Sequence, residues 1–494
     1  MAILLLLLMF ILEISSAWTE SQIIDEGVHL TAGYSYLVNH QIVLNPEHPP
    51  LVKLLSAIFI SPLHAVFPWQ DLRDANQWDI AGKFFYDLGN QAEMMLFLGR
   101  LPIMFCSILL GWLIFKWAKK ISGVKAGLFA LALFVFDSNI LAHSRYITTD
   151  IAVSLGFLAT LYYFCQYIEK PKIKNLFILL FIFALAQITK FSALILWPII
   201  IIATIFSKLK IKQGLILLLG LILVTFWIIF IFYFGEINQY YAGLQDLADH
   251  ERGGHYTYLL GQYDERGFWY YFFIAFLVKT PLTTLLLLFI SMPLFIYHNI
   301  NNFFRKISLD YYLIIIFPIL YFIISIINHI NIGIRHLLPI YPFLFIFMAT
   351  IIFHPQFKNK IIKITSLVLL LFFIVESIIT YPNYLGYFSL LVSGSSEGHK
   401  YLLDSNLDWG QDLKKLKNYL AENNISQPIY LAYWGKASPE YYQINYLPLT
   451  PTIKKGLIAI SMQNIMSEDK AYAWLLTQKP KIKIGSSIYL YDLQ

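Results

Sequence analysis

Long apolar segments recur along this sequence at a length that matches the hydrocarbon thickness of a membrane. A membrane-spanning α-helix needs about 20 mainly apolar residues, within a range of roughly 17–25. The pattern therefore predicts an α-helical polytopic membrane protein with about 11 transmembrane helices. The runs fall at 1–17, 94–115, 126–143, 148–168, 175–189, 191–206, 214–234, 280–297, 311–328, 336–353 and 363–380.

The first apolar run is at the short end of the spanning range. It ends in Ser15, Ser16 and Ala17, small residues that are also typical of a signal-peptide cleavage site. A signal peptide normally carries a basic stretch before its apolar run, and none is present here. We therefore expect a retained first transmembrane helix.

Three stretches of the chain are too polar to span a membrane. Residues 18–93 and 235–279 mix apolar and polar positions at helical spacing, so we expect short helices lying on the membrane surface. Residues 382–494 have the composition of a soluble domain. There DWGQDLKKLKNYLAENN predicts an amphipathic helix, and IYLAYW, GLIAIS and SIYLYDL predict strands. The predicted organisation is a transmembrane domain over 1–381 and a small α/β domain over 382–494.

The composition agrees with the hydrophobic pattern. Hydrophobic residues make up 58% and charged residues 13% of 494 residues, which is too apolar for a soluble chain of this length. No stripe of Lys and Arg indicates nucleic-acid binding. The only two cysteines, Cys106 and Cys165, both lie in apolar runs, so they predict neither a disulfide framework nor a metal site.

Basic residues are distributed unequally between the two sets of connecting loops, and this predicts their sides. One set carries fifteen Lys and Arg residues and the short loops of the other set carry five. By the positive-inside rule the first set is cytoplasmic, so both polar loops and the C-terminal domain are expected outside. The fifteen are Lys116, Lys119, Lys120, Lys125, Lys170, Lys172, Lys174, Lys208, Lys210, Lys212, Arg305, Lys306, Lys358, Lys360 and Lys363; the five are Arg145, Lys190, Arg252, Arg266 and Arg335.

Acidic candidates for chemistry follow the first apolar run and recur in the stretch NPEHPPLVK. Asp25 and Glu26 are adjacent, and they are either solvated charges or a general base that takes a proton from an attacking hydroxyl. Glu47 and His48 precede two prolines that prevent an uninterrupted helix, so their geometry is expected to be held by the turn.

Basic candidates lie at the predicted outer ends of the helices. In HSRYITTD, Arg145 is either a headgroup anchor or a site residue, and Asp150 is either a helix cap or a site residue. Lys190 and Arg335 also flank apolar runs, where a cation is costly without an anion. Lys279 either belongs to this set or extends to the interface. Together they fit a site for the phosphate or pyrophosphate of a lipid better than separate anchors.

Five segments together carry a resemblance to a known family. They are DE at 25–26, EHPPLVK at 47–53, HSRYITTD at 143–150, ITKFSALILWP at 188–198 and NIGIRHLLPIYP at 331–342. In order and spacing the sequence resembles the protein O-mannosyltransferase-like glycosyltransferases of family 39, which have the GT-C fold and include the aminoarabinose transferases of lipid A. The resemblance implies a polyprenyl-phosphate-linked sugar donor and an acceptor hydroxyl on the outer membrane face.

The resemblance also implies roles for individual residues. Asp25 of the Asp25-Glu26 pair would be the catalytic base, and Lys190 would lie near the donor phosphate. His48 matches the His-Pro-Pro element of the mannosyltransferases and departs from the aminoarabinose branch. Asp150 matches an acidic position of the second outer loop. The remaining implied substrate-binding residues are Glu47, Arg145 and a phosphate-binding arginine, for which the candidates are Arg252, Arg266 and Arg335.

The function expected from the residues and the resemblance is inverting transfer of a sugar from a polyprenyl phosphate to an acceptor hydroxyl of a protein, lipid A or a glycan. The scheme requires no cofactor or metal, although acidic clusters could bind a divalent ion. The expected location is the plasma (inner) membrane, with the site and the C-terminal domain outside. Two alternatives stay open, a polytopic transporter or lipid flippase without transferase activity, and a ligase or polymerase of larger glycans.

Overall fold

The computed structural model describes residues 1–73, 75–300, 308–357 and 359–493. Arg305, Lys306 and Lys358, which belong to the predicted cytoplasmic set, lie outside the described residues. The helices are α1 (Ala2–Trp18), α2 (Ile24–Asn39), α3 (Leu51–Ile60), α4 (Gln77–Gly82), α5 (Ala92–Ser122), α6 (Val124–Val135), α7 (Ser138–His143), α8 (Asp150–Glu169), α9 (Ile173–Gln187), α10 (Leu196–Ile205), α11 (Ile211–Phe232), α12 (Ile237–Gly253), α13 (Tyr271–Lys279), α14 (Leu282–Ile300), α15 (Leu309–Ile327), α16 (Tyr341–Ile352), α17 (Lys360–Thr380), α18 (Leu413–Glu422) and α19 (Met462–Ile465).

The protein is a mainly helical, multi-pass membrane protein, as the hydrophobic pattern predicts. Within the described ranges, six helices are long and apolar enough to cross a membrane. A seventh span results if α13 and α14, which meet at an angle of 106°, form one broken crossing. Four of the other predicted spans correspond to the shorter apolar helices α1, α6, α9 and α10, so every predicted apolar run coincides with helical structure.

The long helix α5 lies at the centre of the helical bundle and packs against α1, α6, α8 and α16. Buried polar contacts join it to its neighbours, and two of them link it to α1 and α15. Ser107 Oγ donates to Glu13 Oε1 of α1 at 2.6 Å, and Trp117 Nε1 donates to Asp310 Oδ1 of α15 at 2.7 Å. Because buried polar groups in an apolar surrounding are costly without partners, these pairs fix the register between helices.

The first polar loop, 18–93, is folded into the bundle. Helix α2 is buried over most of its length and packs against α3, so α2 differs from the exposed surface helix that the sequence predicted. At Gly33 a Cβ atom would collide with the backbone carbonyl of Lys53 on α3, so only glycine permits this close approach. The NPEHPP turn connects the two helices.

The C-terminal segment contains a five-stranded mixed sheet with strand order β4-β3-β5-β7-β6. Strand β3 pairs in parallel with β4 and β5, whereas β7 pairs antiparallel with β5 and β6. Helix α18 covers the sheet with Leu413, Leu416 and Leu420. A separate antiparallel hairpin, β1-β2, lies in the second polar loop. The strands are β1 (Thr257–Leu259), β2 (Gln262–Asp264), β3 (Ile429–Ala432), β4 (Tyr446–Pro448), β5 (Gly456–Ser461), β6 (Ile482–Ile484) and β7 (Ile488–Leu493).

Candidate active site

Four charged side chains from four distant parts of the sequence meet at one end of the bundle. Asp25 Oδ2 lies 3.1 Å from Arg335 Nη1. The same Arg335 Nη1 lies 3.8 Å from Asp150 Oδ2, and Lys190 Nζ lies 2.7 Å from Asp150 Oδ1. The four residues, which we call the charged cluster, alternate in charge from Asp25 through Arg335 and Asp150 to Lys190.

The helices explain why these side chains converge. Asp25 is in the first turn of α2 and Asp150 is the first residue of α8, so both carboxylates lie at helix N-termini, where negative charge is favoured. Lys190 immediately precedes a short 3₁₀ helix that interrupts the α9–α10 hairpin. Arg335 lies in a second 3₁₀ helix, Ile334–Ile340, which leads into α16. The two cations of the charged cluster, Lys190 and Arg335, therefore both lie at 3₁₀ helices that interrupt the α-helical structure.

The members of the charged cluster differ in their access to solvent. The side chain of Asp150 is fully buried, and that of Arg335 is 8% exposed. The side chains of Lys190 and Asp25 are 17% and 21% exposed. Asp25 is thus the more accessible carboxylate, whereas Asp150 holds the two cations. Arg335 keeps a buried Nε without a hydrogen-bond partner among the described residues, so the guanidinium retains a donor for an anion.

Glu26, the neighbour of Asp25, points into a different environment. Both of its oxygens accept hydrogen bonds from Arg100, at 2.7 Å each, and both residues are buried. The backbone N–H groups of Ile23 and Ile147 donate to the same carboxylate at 3.0 and 3.1 Å. Successive residues of a helix are turned about 100° apart, which separates Glu26 from Asp25. The structure does not bring Glu26 into the charged cluster.

Arg145 is also occupied elsewhere. Its guanidinium is fully buried, lies 3.0 Å from Glu20 and donates to the carbonyl of Pro382 at 3.2 Å. Glu20 additionally accepts from the hydroxyl of Tyr146 and from Lys415 of the C-terminal domain. Arg145 therefore joins the first polar loop to the C-terminal segment, and its ion pair is with Glu20 rather than with a member of the charged cluster.

The NPEHPP turn places a histidine pair near the charged cluster. The ring of His48 lies 5.1 Å, centroid to centroid, from the ring of His29 on α2, and the two rings are tilted by 59°. His29 Nδ1 lies 2.6 Å from the carbonyl of Ile147, so this nitrogen carries the proton and Nε2 is the free acceptor. Burial lowers the pKa of His29, and the nearby Asp25 carboxylate opposes that change. Burial also lowers the pKa of His48 well below its usual value.

Glu47 connects the same turn to the second polar loop. Its Oε2 lies 3.4 Å from Nδ1 of His250 on α12, and His250 Nε2 lies 3.4 Å from His255 Nδ1. The bond with His250 lowers the pKa of Glu47, and the carboxylate raises the pKa of His250. Both side chains are partly exposed. They form a contact between the turn and α12 at the solvent edge of the site.

Lys53 ends the NPEHPPLVK stretch and is fully buried. Its ammonium donates to the hydroxyl of Tyr36 at 3.1 Å and to the carbonyl of Asn45. These bonds hold the turn against α2. Lys53 is thus a support of the turn, while Glu47 and His48 face the neighbouring loops.

Of the three arginines considered for phosphate binding, Arg335 is the one in the charged cluster. The side chain of Arg252 is 81% exposed and lies 3.2 Å from Asp249 on its own helix. Arg266 is exposed, and its backbone N–H and carbonyl make hydrogen bonds with Asp264 and His329. The structure therefore places Arg252 and Arg266 at the surface of the second polar loop.

Two residues that border the charged cluster, His29 and Trp409, were not predicted from the sequence. His29 lies four residues after Asp25, on the same helical face, and this spacing was a usable signal. Trp409, about 70 residues after Arg335, places its ring 4.5 Å from the Arg335 guanidinium carbon. No local pattern could reveal that contact, because it depends on how the C-terminal domain packs. Lys279 is buried and donates to the carbonyls of Leu385 and Asn406, away from the charged cluster.

No group of three or more His, Cys, Asp or Glu side chains in the described part of the chain could hold a metal ion. The carboxylates of the charged cluster are paired with cations instead. The arrangement therefore offers a partly exposed carboxylate beside two cations, with His29 and His48 nearby.

Comparisons with known proteins agree with this architecture. Residues 83–233 match the family model described as dolichyl-phosphate-mannose-protein mannosyltransferase. The crystal structure of ArnT from Cupriavidus metallidurans bound to undecaprenyl phosphate is similar over 99% of this chain and 97% of that chain, with 10% identity and a TM-score of 0.51. The apo state of the same ArnT gives 11% identity and a TM-score of 0.52 over the same shares.

A second solved protein shares part of the architecture. The archaeal oligosaccharyltransferase AglB from Archaeoglobus fulgidus, in complex with an inhibitory peptide and a dolichol-phosphate, matches 92% of this chain and 62% of that chain. Its identity is 12% and its TM-score 0.51. No curated protein matches the sequence at a significant level. The resemblance found in the motifs is confirmed, and the chain has the fold of the GT-C glycosyltransferases.

Proposed function

We propose that this protein is an inverting glycosyltransferase that moves a sugar from a polyprenyl-phosphate-linked donor to an acceptor hydroxyl on the outer face of the membrane. The observation that carries the proposal is the charged cluster, in which the partly exposed carboxylate of Asp25 lies beside the buried Arg335, and the partly exposed Lys190 pairs with the buried Asp150. Such a pair of features suits a reaction that removes a proton at one point and releases an anionic phosphate at another.

In the proposed reaction Asp25 is the general base. The acceptor oxygen attacks the anomeric carbon from the side opposite the phosphate and forms the new glycosidic bond. The bond between the anomeric carbon and the phosphate oxygen breaks, and its electron pair leaves with the lipid phosphate. The acceptor proton moves to the Asp25 carboxylate and passes to solvent after transfer. One displacement inverts the configuration at the anomeric carbon.

Arg335 and Lys190 stabilise the departing phosphate in this scheme. Their cationic ends lie on either side of Asp150, which keeps both side chains extended towards the same space. Arg335 has the geometry for two parallel hydrogen bonds to phosphate oxygens, and Lys190 acts as a point charge. Preformed cations of this kind lower the cost of charge that develops on the leaving group.

The NPEHPP turn forms the wall of the site opposite the phosphate groove in our proposal. His48 and His29 would position the sugar or the acceptor through their free ring nitrogens, and Glu47 would hold the second polar loop against the turn. We assign positioning roles to Glu26 and Arg145, because each side chain is already engaged in a buried ion pair. Every step of the proposed reaction uses side chains of this protein. The acceptor is a protein, lipid A or a glycan.

The test is sugar transfer by purified protein in liposomes supplied with a panel of labelled polyprenyl-phosphate sugars and membrane-extract acceptors. We expect one donor to be consumed and the anomeric configuration of the product, read by NMR, to be inverted. A retained configuration would contradict the single displacement. Failure to consume any donor, together with movement of labelled lipid between leaflets, would favour the flippase alternative.

A further inference from the structure

The C-terminal domain sends one segment into the site. Residues Asp404 to Gln411, with the sequence DSNLDWGQ, lie between the start of α2 and the loop that carries Arg335. We call this segment the clamp. Asn406 and Trp409 are almost fully buried, and neither is part of the sheet. The clamp thus touches the two elements that supply Asp25 and Arg335.

On one side the clamp is bonded to the start of α2. The backbone N–H of Ile24, the residue before Asp25, donates to the carbonyl of Trp409 at 3.0 Å. The N–H of Ser21 donates to the carbonyl of Gln411 at 3.0 Å, and Ser21 Oγ donates to the carbonyl of Gly410 at 2.9 Å. The bond from Ile24 uses one of the free N–H groups at the start of α2, which otherwise need a cap, and the two bonds from Ser21 hold the chain just before the helix.

On the other side the clamp is bonded to the loop of Arg335. The N–H of Ile334 donates to Asn406 Oδ1 at 2.9 Å, and Ser405 Oγ donates to the carbonyl of Ile332. The Trp409 ring lies 4.5 Å from the guanidinium carbon of Arg335, a distance typical of a cation–π contact. The guanidinium is therefore held between an aromatic face and the carboxylate of Asp25.

The clamp is itself fixed by the C-terminal sheet. Asp412, which follows the clamp, accepts from the backbone N–H groups of Ser486 and Ser487 at 2.7 and 2.9 Å, in the turn between β6 and β7. Lys415 on α18 lies 2.8 Å from Asp412 and 3.3 Å from Glu20 of the first polar loop. The positions of Asp25 and Arg335 are thus tied to the sheet through short, buried links.

We infer that the clamp positions the Asp25–Arg335 pair for transfer, with Trp409 and Asn406 as its positioning residues, so that the C-terminal domain is a structural part of the active site. A cation confined by a ring and a carboxylate has few alternative positions when the phosphate leaves. Without the ring, the guanidinium can leave this position and is less available to the phosphate. The inference rests on the proposed roles of Asp25 and Arg335.

The experiment compares the full-length wild type with Trp409→Leu, Trp409→Phe and Asn406→Ala. The matched control is Trp434→Leu, a partly exposed tryptophan of the same domain outside the clamp. Hydrogen exchange is measured on the peptides that contain residues 21–26 and 331–336, and transfer kinetics are measured on the same samples. We expect faster exchange in both peptides for Trp409→Leu, and in 331–336 for Asn406→Ala, with the control unchanged.

For transfer we expect Trp409→Leu to lower kcat about tenfold with a smaller change in KM, and Trp409→Phe to restore most of it, since a phenyl ring keeps the contact. In an Arg335→Ala background, Trp409→Leu should have little further effect. Full additivity of the two substitutions, or unchanged exchange in 331–336, would overturn the inference.

Two readouts keep this result separate from the proposed function. If the wild type transfers no sugar, hydrogen exchange and the thermal-unfolding cycle of Trp409→Leu with Arg335→Ala still decide whether the clamp holds Arg335. If Trp409→Leu does not fold, Asn406→Ala and Trp409→Phe carry the comparison. If hydrogen exchange changes while kcat and KM do not, the clamp stabilises the fold and does not position the Asp25–Arg335 pair for transfer.

Discussion

Asp150 is fully buried at the N-terminus of a spanning helix, and its two cationic neighbours decide what it can do. Lys190 and Arg335 contact its two oxygens, so the carboxylate acts as a fixed counter-charge that directs both cations. Asp25 contacts Arg335 alone through one oxygen and is more exposed. At the scale of residues the site therefore separates a buried carboxylate that pairs with two cations from a more accessible carboxylate, which is the proposed base.

The role of Lys190 can be separated from its effect on stability. Lys190→Met leaves Asp150 without its nearest cation, and breaking a buried pair costs about 3–5 kcal/mol. The double variant Lys190→Met/Asp150→Asn removes that unpaired charge, so its melting temperature should recover in part. We expect the KM for the lipid-linked donor to stay about tenfold raised in the double variant. A double variant with the wild-type KM would contradict a contact between Lys190 and the donor.

For substitution of Glu26 we expect lower stability and an unchanged kcat, whereas for substitution of Asp25 we expect a lower kcat. Glu26→Gln leaves Arg100 buried without its charged partner and should destabilise the protein by about 3–5 kcal/mol, while the folded fraction keeps its kcat. The double variant Glu26→Gln/Arg100→Met serves as the matched control, because it removes both charges. Thermal unfolding and transfer per folded molecule are the measurements. A loss of kcat in fully folded Glu26→Gln would return Glu26 to the chemistry.

The sequence predicted the four members of the charged cluster, and it also included residues that the fold uses elsewhere. Asp25, Asp150, Lys190 and Arg335 were recognisable because charges flanking apolar runs are costly without a function. The same criterion selected Arg145, whose partner Glu20 is 125 residues away and had no signal of its own. Ion pairs between distant segments are decided by packing, which one sequence does not display.

At the scale of elements, the second polar loop is held against the site by a titratable contact. Helix α12 packs tightly on the NPEHPP turn, since a Cβ at Gly243 would collide with the carbonyl of Pro46. The Glu47–His250 pair, with N and O atoms 3.4 Å apart, is the polar part of this interface. Its strength must depend on pH, because one partner is a histidine.

The pH range of this contact follows from the two pKa shifts. The pKa of His250 is raised, so its stabilisation is complete below the ordinary histidine pKa of about 6.5 and is lost as the pH rises through the raised value. The pKa of Glu47 is lowered, so its stabilisation is lost only when the pH falls through that lowered value. The contact is strongest between these limits.

We therefore expect hydrogen exchange in α12, corrected for the intrinsic effect of pH, to increase between pH 6 and about pH 8 in the wild type. His250→Gln should abolish this dependence, and His64→Asn, at an exposed turn, should retain it. Equal pH dependence in His250→Gln would show that another group controls α12.

The elements themselves were predicted unequally. The apolar runs coincide with helices, and β3, β5 and β7 coincide with predicted strands, because long or strongly patterned segments carry their own signal. Strands β1, β2, β4 and β6 have three residues each, too few for alternation to be recognised. Helix α2 was expected at the surface and is buried, since the C-terminal domain and α3 cover it.

At the scale of the whole molecule, the proposed reaction depends on which side of the membrane the charged cluster faces. Charged residues of the site gather at one end of the bundle, and the exposed lysines of the α8–α9 loop belong to the predicted cytoplasmic set. A lipid-linked donor suits an outer site, because the donor carries its own activated bond across the membrane. The fold alone does not assign the sides of the membrane, and the charge bias of the loops predicts them.

Thiol labelling tests this assignment. In a background of Cys106→Ser and Cys165→Ala, Arg252→Cys should react with a membrane-impermeant maleimide on intact cells. Lys172→Cys should react only after permeabilisation. Both positions are exposed, so accessibility in lysed membranes is the control. The reverse labelling pattern would place the charged cluster in the cytoplasm and contradict the proposed outer-face reaction.

One comparison of variants tests whether the Asp25 carboxylate removes the acceptor proton, the step on which the proposed reaction depends. Transfer from the active polyprenyl-phosphate sugar is measured with wild type, Asp25→Asn and the exposed control Asp249→Asn, at matched amounts of folded protein. The account predicts a loss of about a hundredfold or more in kcat for Asp25→Asn and wild-type rates for Asp249→Asn. Equal transfer by wild type and Asp25→Asn would contradict it.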